Sequence, residues 1–274
     1  MLTPVVEVID YKAAGPLTSL ANVPPAALSR IADDPVAICW PVHGMVIQPG
    51  EAETLGVAVA RFDENQIRPA DVLLGLDPTP SSEMREPPRR VVGTCRHFAV
   101  LACALLRHQG IASRVRCGFA TYFQPGQGLD HWIVEYREDT SKRWVRLDPE
   151  ILGQDVLDHL EDLGPGEFLT GGEAWRAFRQ GKIEPATFGV YGSENWGPGE
   201  IRGNAVKDLA ALNKVEMLPW DTWGRMEDAY KSETGPDYDE LLDTLAAAWA
   251  ADDPAAITAL YARNYMTVPP ELIR

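Results

Sequence analysis

Four cysteines and five histidines are the residues of this 274-residue chain that could carry nucleophilic or metal chemistry. Cys95 stands apart from the other cysteines because it opens a helical pattern, directly after Gly93-Thr94. Thr94 is a good helix N-cap residue, and apolar side chains recur at helical spacing after it. A cysteine in the first turn lies beside free backbone N–H groups and the positive end of the helix dipole, which favours the thiolate. We therefore predict that Cys95 is a nucleophile.

A base for this cysteine can be found by elimination among the histidines. Only His131 opens a strand-like run, which continues to Tyr136. His43 lies in a turn, and His97 lies about 200° around the helix from the cysteine. His108 lies in the last turn of that helix, and His159 lies in a polar segment. His131 is therefore the predicted base.

A third residue follows from the pairing of two strand-like runs around a polar loop at residues 138–141. Folding the chain about this loop sets His131 directly opposite Asp148, with apolar pairs such as Trp132 and Leu147 on the other face. Directly opposed residues have Cβ atoms about 4.5–5.5 Å apart, within reach of an imidazole–carboxylate hydrogen bond. This register predicts that Asp148 orients the imidazole of the base.

The motifs around these three residues resemble the transglutaminase-like superfamily, which shares a papain-like Cys–His–Asp arrangement. The resemblance spans residues 93–149 and rests on three motifs in this order: Gly93-Thr94-Cys95, Asp130-His131-Trp132 and Trp144-Val145-Arg146-Leu147-Asp148-Pro149. It implies acyl chemistry through a thioester. The superfamily includes cross-linking enzymes, peptidases, amide-forming enzymes and inactive members, so the resemblance does not fix the substrate.

The second donor of an oxyanion hole is not evident from the sequence. Animal transglutaminases place a tryptophan before the cysteine for this purpose, whereas Trp40 of this chain lies in an unrelated context. Gln66 or Asn65 could supply a side-chain amide. A surface salt-bridge cluster explains the same polar segment, residues 61–69, more simply.

Composition and charge exclude several classes of protein. A net charge of −15 argues against a nucleic-acid partner, because no basic patch is available to neutralise phosphates. No apolar run approaches 18 residues and no signal sequence is recognisable, so we expect a cytoplasmic protein without a membrane partner. The other cysteines read as packing residues without Cys/His ligand spacing: Cys39, Cys103 and Cys117. We expect neither a metal nor a cofactor.

The expected fold class is α+β, with the helix of Cys95 packed on an antiparallel sheet. Residues 1–150 would form the transglutaminase-like core with a helical lead-in, and residues 151–274 a mainly helical extension packed on it. Short helices are expected at Pro24–Ile31 and after Pro49, and a loop at residues 76–90. Helical periodicity predicts four further helices: Glu173–Gln180, Ala205–Val215, Tyr238–Ala251 and Pro254–Tyr265.

The aromatic-rich segments 189–202 and 218–224 are candidates for the walls of a substrate cleft. Trp220 could contact a substrate, and Asp221 or Asn204 could recognise a polar group on it. Gln66 joins these residues as a candidate for substrate binding. Large aromatic contacts that fix the helical extension to the core are the simpler explanation for most of these rings.

Together these features predict a cysteine-dependent acyl-transfer or amide-hydrolysing enzyme that acts on a small-molecule or peptide substrate. A catalytically inactive binding or scaffold protein on the same core is the main alternative. A redox sensor would need a resolving cysteine, and Cys103 should lie two turns along the helix, too far from Cys95 to bridge. Formation of a homo-oligomer is left open.

Overall fold

The computed structural model describes residues 9–77, 79–263 and 265–273 as a mixed α+β structure. The helices of this part are α1 Pro35–Cys39, α2 Pro49–Thr54, α3 Ala70–Gly75, α4 Cys95–His108, α5 Gly171–Arg179, α6 Pro198–Leu212, α7 Met226–Tyr230, α8 Pro236–Ala250 and α9 Pro254–Tyr261. The strands are β1 Val46–Ile47, β2 Val91–Val92, β3 Ser113–Ala120, β4 Gly128–Arg137, β5 Trp144–Leu147, β6 Phe168–Thr170 and β7 Phe188–Gly189. The expected fold class is therefore confirmed.

Helix α4 lies at the centre of the molecule and packs against β3 and β4. Leucine and alanine, which are strong helix formers, dominate it, and every residue from Cys95 to Arg107 is buried. Its first turn is closed by His97, whose Nδ1 accepts a hydrogen bond from the Thr94 N–H at 3.0 Å. A Cβ atom on Gly93 would lie 2.8 Å from Cγ of His97, so only glycine fits directly before this turn.

The main sheet has the strand order β5-β4-β3-β6, all antiparallel, with β7 added parallel to β4. The predicted pairing of β4 with β5 is wrong by two residues, because Val134 and not Trp132 faces Leu147. The reason lies in the turn, where Lys142 adopts a positive φ of 58° and Glu138 N–H bonds to Arg143 O at 2.9 Å. A shift of two residues keeps every side chain on its expected face.

Strands β1 and β2 form a separate parallel pair, Val46 with Val91 and Ile47 with Val92. The ladder ends where Gly93 N–H donates to Ile47 O at 3.0 Å. Because the two strands run parallel, the residue after β1 and the start of α4 lie at the same end of the pair. This pairing brings Gln48 beside the helix that carries Cys95.

The four helices predicted after residue 170 are confirmed as α5, α6, α8 and α9, with ends displaced by at most seven residues, at the start of α6. The prediction of a helix at Pro24–Ile31 is wrong. This segment forms successive turns, in which N–H groups donate to the carbonyl three residues earlier. Arg30 at its end has a positive φ of 62°, which stops an α-helix. The predicted helix after Pro49 is α2.

Helix α6 packs directly on β3 through buried polar contacts. The Asp208 carboxylate accepts hydrogen bonds from Cys117 N–H at 3.0 Å and from the Arg116 guanidinium at 2.7 and 2.9 Å. Phe119 of β3 belongs to the same apolar cluster as the C-terminal helices. The division of the chain at residue 150 stays a prediction, and extensive contacts cross it.

Candidate active site

Three residues predicted from the sequence lie together at the N-terminus of α4. Nε2 of His131 is 2.7 Å from Oδ2 of Asp148, and both side chains are buried. The Cys95 thiol, a nitrogen of His131 and a carboxylate oxygen of Glu150 all lie within 4.8 Å of one another. Because Nε2 is occupied by Asp148, the other ring nitrogen is the one available to Cys95. Asp148 follows the last residue of β5 and lies diagonally, not directly, across from His131.

Asp148 is held by two further donors that the sequence did not reveal. The Tyr122 hydroxyl donates to Oδ2 at 2.5 Å, and the Glu150 N–H donates to Oδ1 at 3.0 Å. The Phe123 ring lies edge-on to His131, with centroids 5.1 Å apart and an interplanar angle of 83°. Both oxygens of the carboxylate are thus engaged, and the imidazole has little freedom to rotate.

The protonation of this pair differs from the sequence expectation. Burial raises the pKa of the Cys95 thiol to about 11, and the hydrogen bond and charge of His131 offset only part of that rise. Although burial by itself lowers the pKa of His131, the Asp148 carboxylate raises it well above its ordinary value. The helix terminus alone therefore does not produce a resting thiolate, because desolvation outweighs it. The imidazolium of His131 must support the charge of the thiolate when it forms.

His97 does not take part in this pair, as its position on the helix predicts. It is fully buried, and its Nε2 lies 3.1 Å from Ile67 O. Burial and the neighbouring Arg96 lower the pKa of His97 to about 3. This imidazole is a neutral structural group at neutral pH.

A cavity of about 540 Å³ opens on Cys95. Its polar lining includes Gln48, Thr94 and Glu150. The remaining lining residues are Phe123, Gln124, Leu129, Asp130, His131, Val190, Tyr191, Pro219 and Trp220. In the described part of the chain no lysine or arginine lines it. A neutral or cationic group fits this lining better than an anion does.

Gln48 brings a side-chain amide to the cavity that Cys95 lines. Its Nε2 donates one hydrogen bond to Glu150 Oε1 at 2.8 Å, and an amide nitrogen has a second N–H to offer. Gln66, the donor considered from the sequence, bonds instead to Asn65 and to Trp220 and does not line the cavity of Cys95. The sequence signal for Gln48 was weak, because it depends on the pairing of two very short strands.

Glu150 is the other site residue that the sequence did not single out. Its Oε2 atom is buried without a hydrogen-bond partner among the described residues, and burial raises the pKa of its carboxyl to about 7. With Cys95 and His131 it forms a set of sulfur, nitrogen and oxygen atoms that could hold a zinc-like ion. The expectation of no metal therefore stays a prediction. The sequence signal for Glu150 was its position in Asp148-Pro149-Glu150, two residues beyond the orienting carboxylate.

The remaining predicted binding residues are distributed around this cavity. Trp220 is 44% exposed and lines it. Asn204 is fully buried and holds the Asp130 carboxylate at 2.7 Å, so it can act on a substrate only through Asp130. Asp221 is engaged by the guanidinium of Arg68 at 2.6 Å and by Leu218 N–H at 2.9 Å, and it lies outside the cavity. Trp223 is buried and packs between helices, as the simpler explanation requires.

Residues 76–149 match the family described as the transglutaminase-like superfamily, and the Cys95, His131 and Asp148 cluster lies inside this range. This segment is a transglutaminase-like core. The predicted resemblance is thereby confirmed. A transglutaminase-like core with this cluster indicates, in general terms, a cysteine-based enzyme. It assigns neither the reaction nor the substrate.

A comparison with solved structures finds the crystal structure of a candidate cysteine protease from Cytophaga hutchinsonii. The two chains are 19% identical, the match covers 55% of this chain, and the TM-score is 0.35. The matched part spans 45% of that protein. No curated protein matches this chain. Among the described residues, no helix is long and apolar enough to cross a membrane.

Proposed function

We propose that this protein is a cysteine-dependent enzyme that transfers or hydrolyses an acyl group through a thioester on Cys95. The observation that carries the proposal is the position of His131, which lies between the thiol and the Asp148 carboxylate and bonds to the latter at 2.7 Å. Such a chain of nucleophile, base and orienting carboxylate is the arrangement that acyl transfer requires.

In the first half of the reaction, the Cys95 sulfur attacks the carbonyl carbon of the acyl donor as its proton passes to the neutral imidazole of His131. The bond from that carbon to the leaving nitrogen, oxygen or sulfur breaks, and His131 returns the proton to the leaving group. The Cys95 backbone N–H and the Gln48 amide are the proposed donors to the oxygen that becomes negatively charged. The N–H of Cys95, the first residue of α4, has no acceptor within the helix and is available for this role.

In the second half, water or an amine attacks the thioester carbon and loses a proton to His131. The carbon–sulfur bond breaks, and the sulfur regains a proton from the imidazolium. The Asp148 carboxylate keeps the imidazole in one orientation throughout, because His131 and Tyr122 both bind to its Oδ2 atom. The choice between water and an amine depends on which of them reaches the cavity.

A small-molecule or peptide substrate fits the cavity better than a folded protein. Tyr191 and Trp220 belong to the aromatic-rich segments and line the same cavity as Cys95. None of the described residues of the loop 76–90 lines the cavity. A partly covered site of about 540 Å³ admits an extended peptide or a metabolite and limits competing water.

The test is to offer small acyl donors with amines, and separately casein with a fluorescent amine, to the protein and to Cys95→Ala. We expect turnover of small donors that is lost in the variant. A chelator should leave this turnover unchanged, because the proposed chemistry uses no metal. Turnover that survives in Cys95→Ala, or that a chelator abolishes, would contradict the proposal. Efficient labelling of casein would contradict only the assignment of substrate size.

A further inference from the structure

A second cavity of about 460 Å³ lies next to the one that opens on Cys95. The two share a boundary formed by Asp130 and three other residues: Val190, Pro219 and Trp220. Cys95 lines only the first cavity, and Glu200 lines only the second. A substrate whose carbonyl lies at Cys95 could therefore extend past Asp130 into the second cavity.

The second cavity carries more negative than positive charge. Three carboxylates line it, from Asp130, Glu200 and Glu227, against one ammonium group, from Lys207. The Lys207 ammonium is already engaged, since it donates to the Pro219 carbonyl and lies 5.6 Å from the centre of the Tyr230 ring. It is 2% exposed and acts as a tether between α6 and the loop that carries Trp220.

Glu200 is the group in this cavity that lacks a close partner. Its side chain is 3% exposed, and no hydrogen bond to its carboxylate is found in the described part of the chain. The nearest positive charge is Nζ of Lys207, at 4.0 Å. Burial raises the pKa of Glu200 to about 7, and Lys207 offsets only part of this. A buried carboxylate with an open side is costly unless a donor from a ligand completes it.

From these adjacent cavities we infer that the site selects substrates bearing an ammonium or guanidinium group at the end remote from the reacting carbonyl, with Glu200 and Asp130 as the binding carboxylates. The inference rests on the proposed function and specifies its substrate class. The cation held at Glu200 is not the attacking amine, because Glu200 does not line the cavity of the nucleophile. The aromatic rings of Trp220 and Tyr230 complete a lining that suits an alkyl chain ending in a cation.

The experiment uses a series of N-substituted iodoacetamides, in which the Cys95 sulfur displaces iodide. The substituents are alkyl chains of increasing length that end in an ammonium group, a methyl group or a carboxylate. Rates are measured by intact mass at pH 8, where the carboxyl of Glu200 is largely ionised, and are divided by the rates with a small free thiol. Because alkylation needs no turnover, its outcome is independent of whether acyl transfer occurs.

We expect the ammonium reagent to outpace the methyl reagent by about tenfold once the chain is long enough to pass Asp130, and the carboxylate reagent to be slowest. Glu200→Gln should remove this preference, so that ammonium and methyl reagents of equal length react with the variant at similar rates. Glu240→Gln, which neutralises an exposed carboxylate on α8 outside both cavities, is the matched control and should retain the preference.

Equal rates for ammonium and methyl reagents at every length would overturn the inference. So would an ammonium preference of the same size in the short and long reagents, since that reports only the net charge of −15. If Glu200→Gln also loses its rate with the methyl reagent, its fold is disturbed, and the chain-length series on the unaltered protein decides. A preference that persists in a folded Glu200→Gln variant would likewise contradict the assignment.

Discussion

Nε2 of His131 lies 2.7 Å from Oδ2 of Asp148, which leaves the other ring nitrogen free for the Cys95 thiol. This contact fixes both the orientation of the imidazole and its charge. The carboxylate raises the pKa of His131 well above its ordinary value, in spite of the opposing effect of burial. The proton that moves during acyl transfer is therefore shared between Cys95 and a histidine that readily holds it.

Alkylation by iodoacetamide should occur first at Cys95. It is the one cysteine among the four that lines the cavity and is 8% exposed, whereas the other three are fully buried. Because the thiol is the resting form, the rate should keep rising from neutral to alkaline pH. Peptide mapping after brief labelling measures this. Labelling of Cys39 as fast as Cys95, or a rate that is flat across this pH range, would contradict the account.

Asp148→Asn should lower kcat strongly, on the order of 10⁴-fold by analogy with the same change in serine protease triads. The sign of the accompanying pH shift follows from the carboxylate. Without it the pKa of His131 falls, so the imidazole loses its proton at lower pH and the acid limb of the pH–rate profile moves to lower pH.

Tyr122→Phe is the matched control for Asp148→Asn, since it removes one hydrogen bond to the same carboxylate and leaves the charge in place. Its cost should be that of a single hydrogen bond, about 1 kcal/mol. The acid limb should move little in this variant. Similar rate losses in both variants, or an acid limb that moves upward in Asp148→Asn, would show that Asp148 acts in some other way.

Gln48→Ala tests the proposed oxyanion donor. Loss of one such donor typically lowers kcat by about 10²–10³-fold, with little change in KM. Gln124→Ala is the control, because Gln124 is a glutamine in the same cavity that has no contact with Glu150 among the described hydrogen bonds. Steady-state kinetics on one small donor would compare the two. A loss in Gln48→Ala no larger than in Gln124→Ala would contradict the assignment.

A buried cluster of charged residues on β3, β4 and β5 should govern the stability of the fold in acid. The Glu135 carboxylate is 2% exposed and contacts Arg114, Arg116 and Arg146 at 2.6, 2.9 and 3.1 Å. Burial alone would raise the pKa of Glu135, but the three guanidinium groups lower it far below its usual range. A lowered pKa in the folded state stabilises the fold above the unfolded value of about 4.3, and this contribution is lost as the pH falls below it.

Glu135→Gln leaves the buried guanidinium groups of Arg114 and Arg116, and the half-buried one of Arg146, without their shared carboxylate. We expect a loss of about 3–5 kcal/mol in the free energy of unfolding at pH 7, measured with urea, and a weaker dependence of stability on pH below 4.3. Glu161→Gln, on an exposed residue, should change stability by no more than about 0.5 kcal/mol. Equal stability of both variants would show that the cluster has no net effect.

Residue periodicity was enough to predict α4 and the contact between His131 and Asp148. It could not set the β4–β5 register, because a shift of two residues leaves the apolar pattern unchanged and the positive φ of Lys142 has no signature in the sequence. The predicted contact is present in spite of the wrong register, because Asp148 lies past the end of β5 and can reach His131 diagonally.

The residues that the sequence missed owe their positions to tertiary structure. Gln48 reaches the site through two strands of two residues each, too short to give a periodic signal. The Tyr122 contact depends on how the chain turns after β3. The raised pKa of Cys95 comes from burial, which outweighs the local effect of the helix terminus. The sequence therefore predicts the effect of the helix terminus on Cys95, but it does not predict how far burial removes the thiol from water.

The most direct test of the central assignment is the mass of the protein trapped during turnover. A small activated acyl donor is mixed with the protein, quenched in acid after milliseconds to seconds, and examined intact and after digestion. We predict a mass increase equal to the acyl group, located on the peptide that contains Cys95, released by hydroxylamine and absent from Cys95→Ala. Turnover without this adduct in the unaltered protein, or an acyl group found on another residue while Cys95→Ala remains active, would contradict a thioester mechanism.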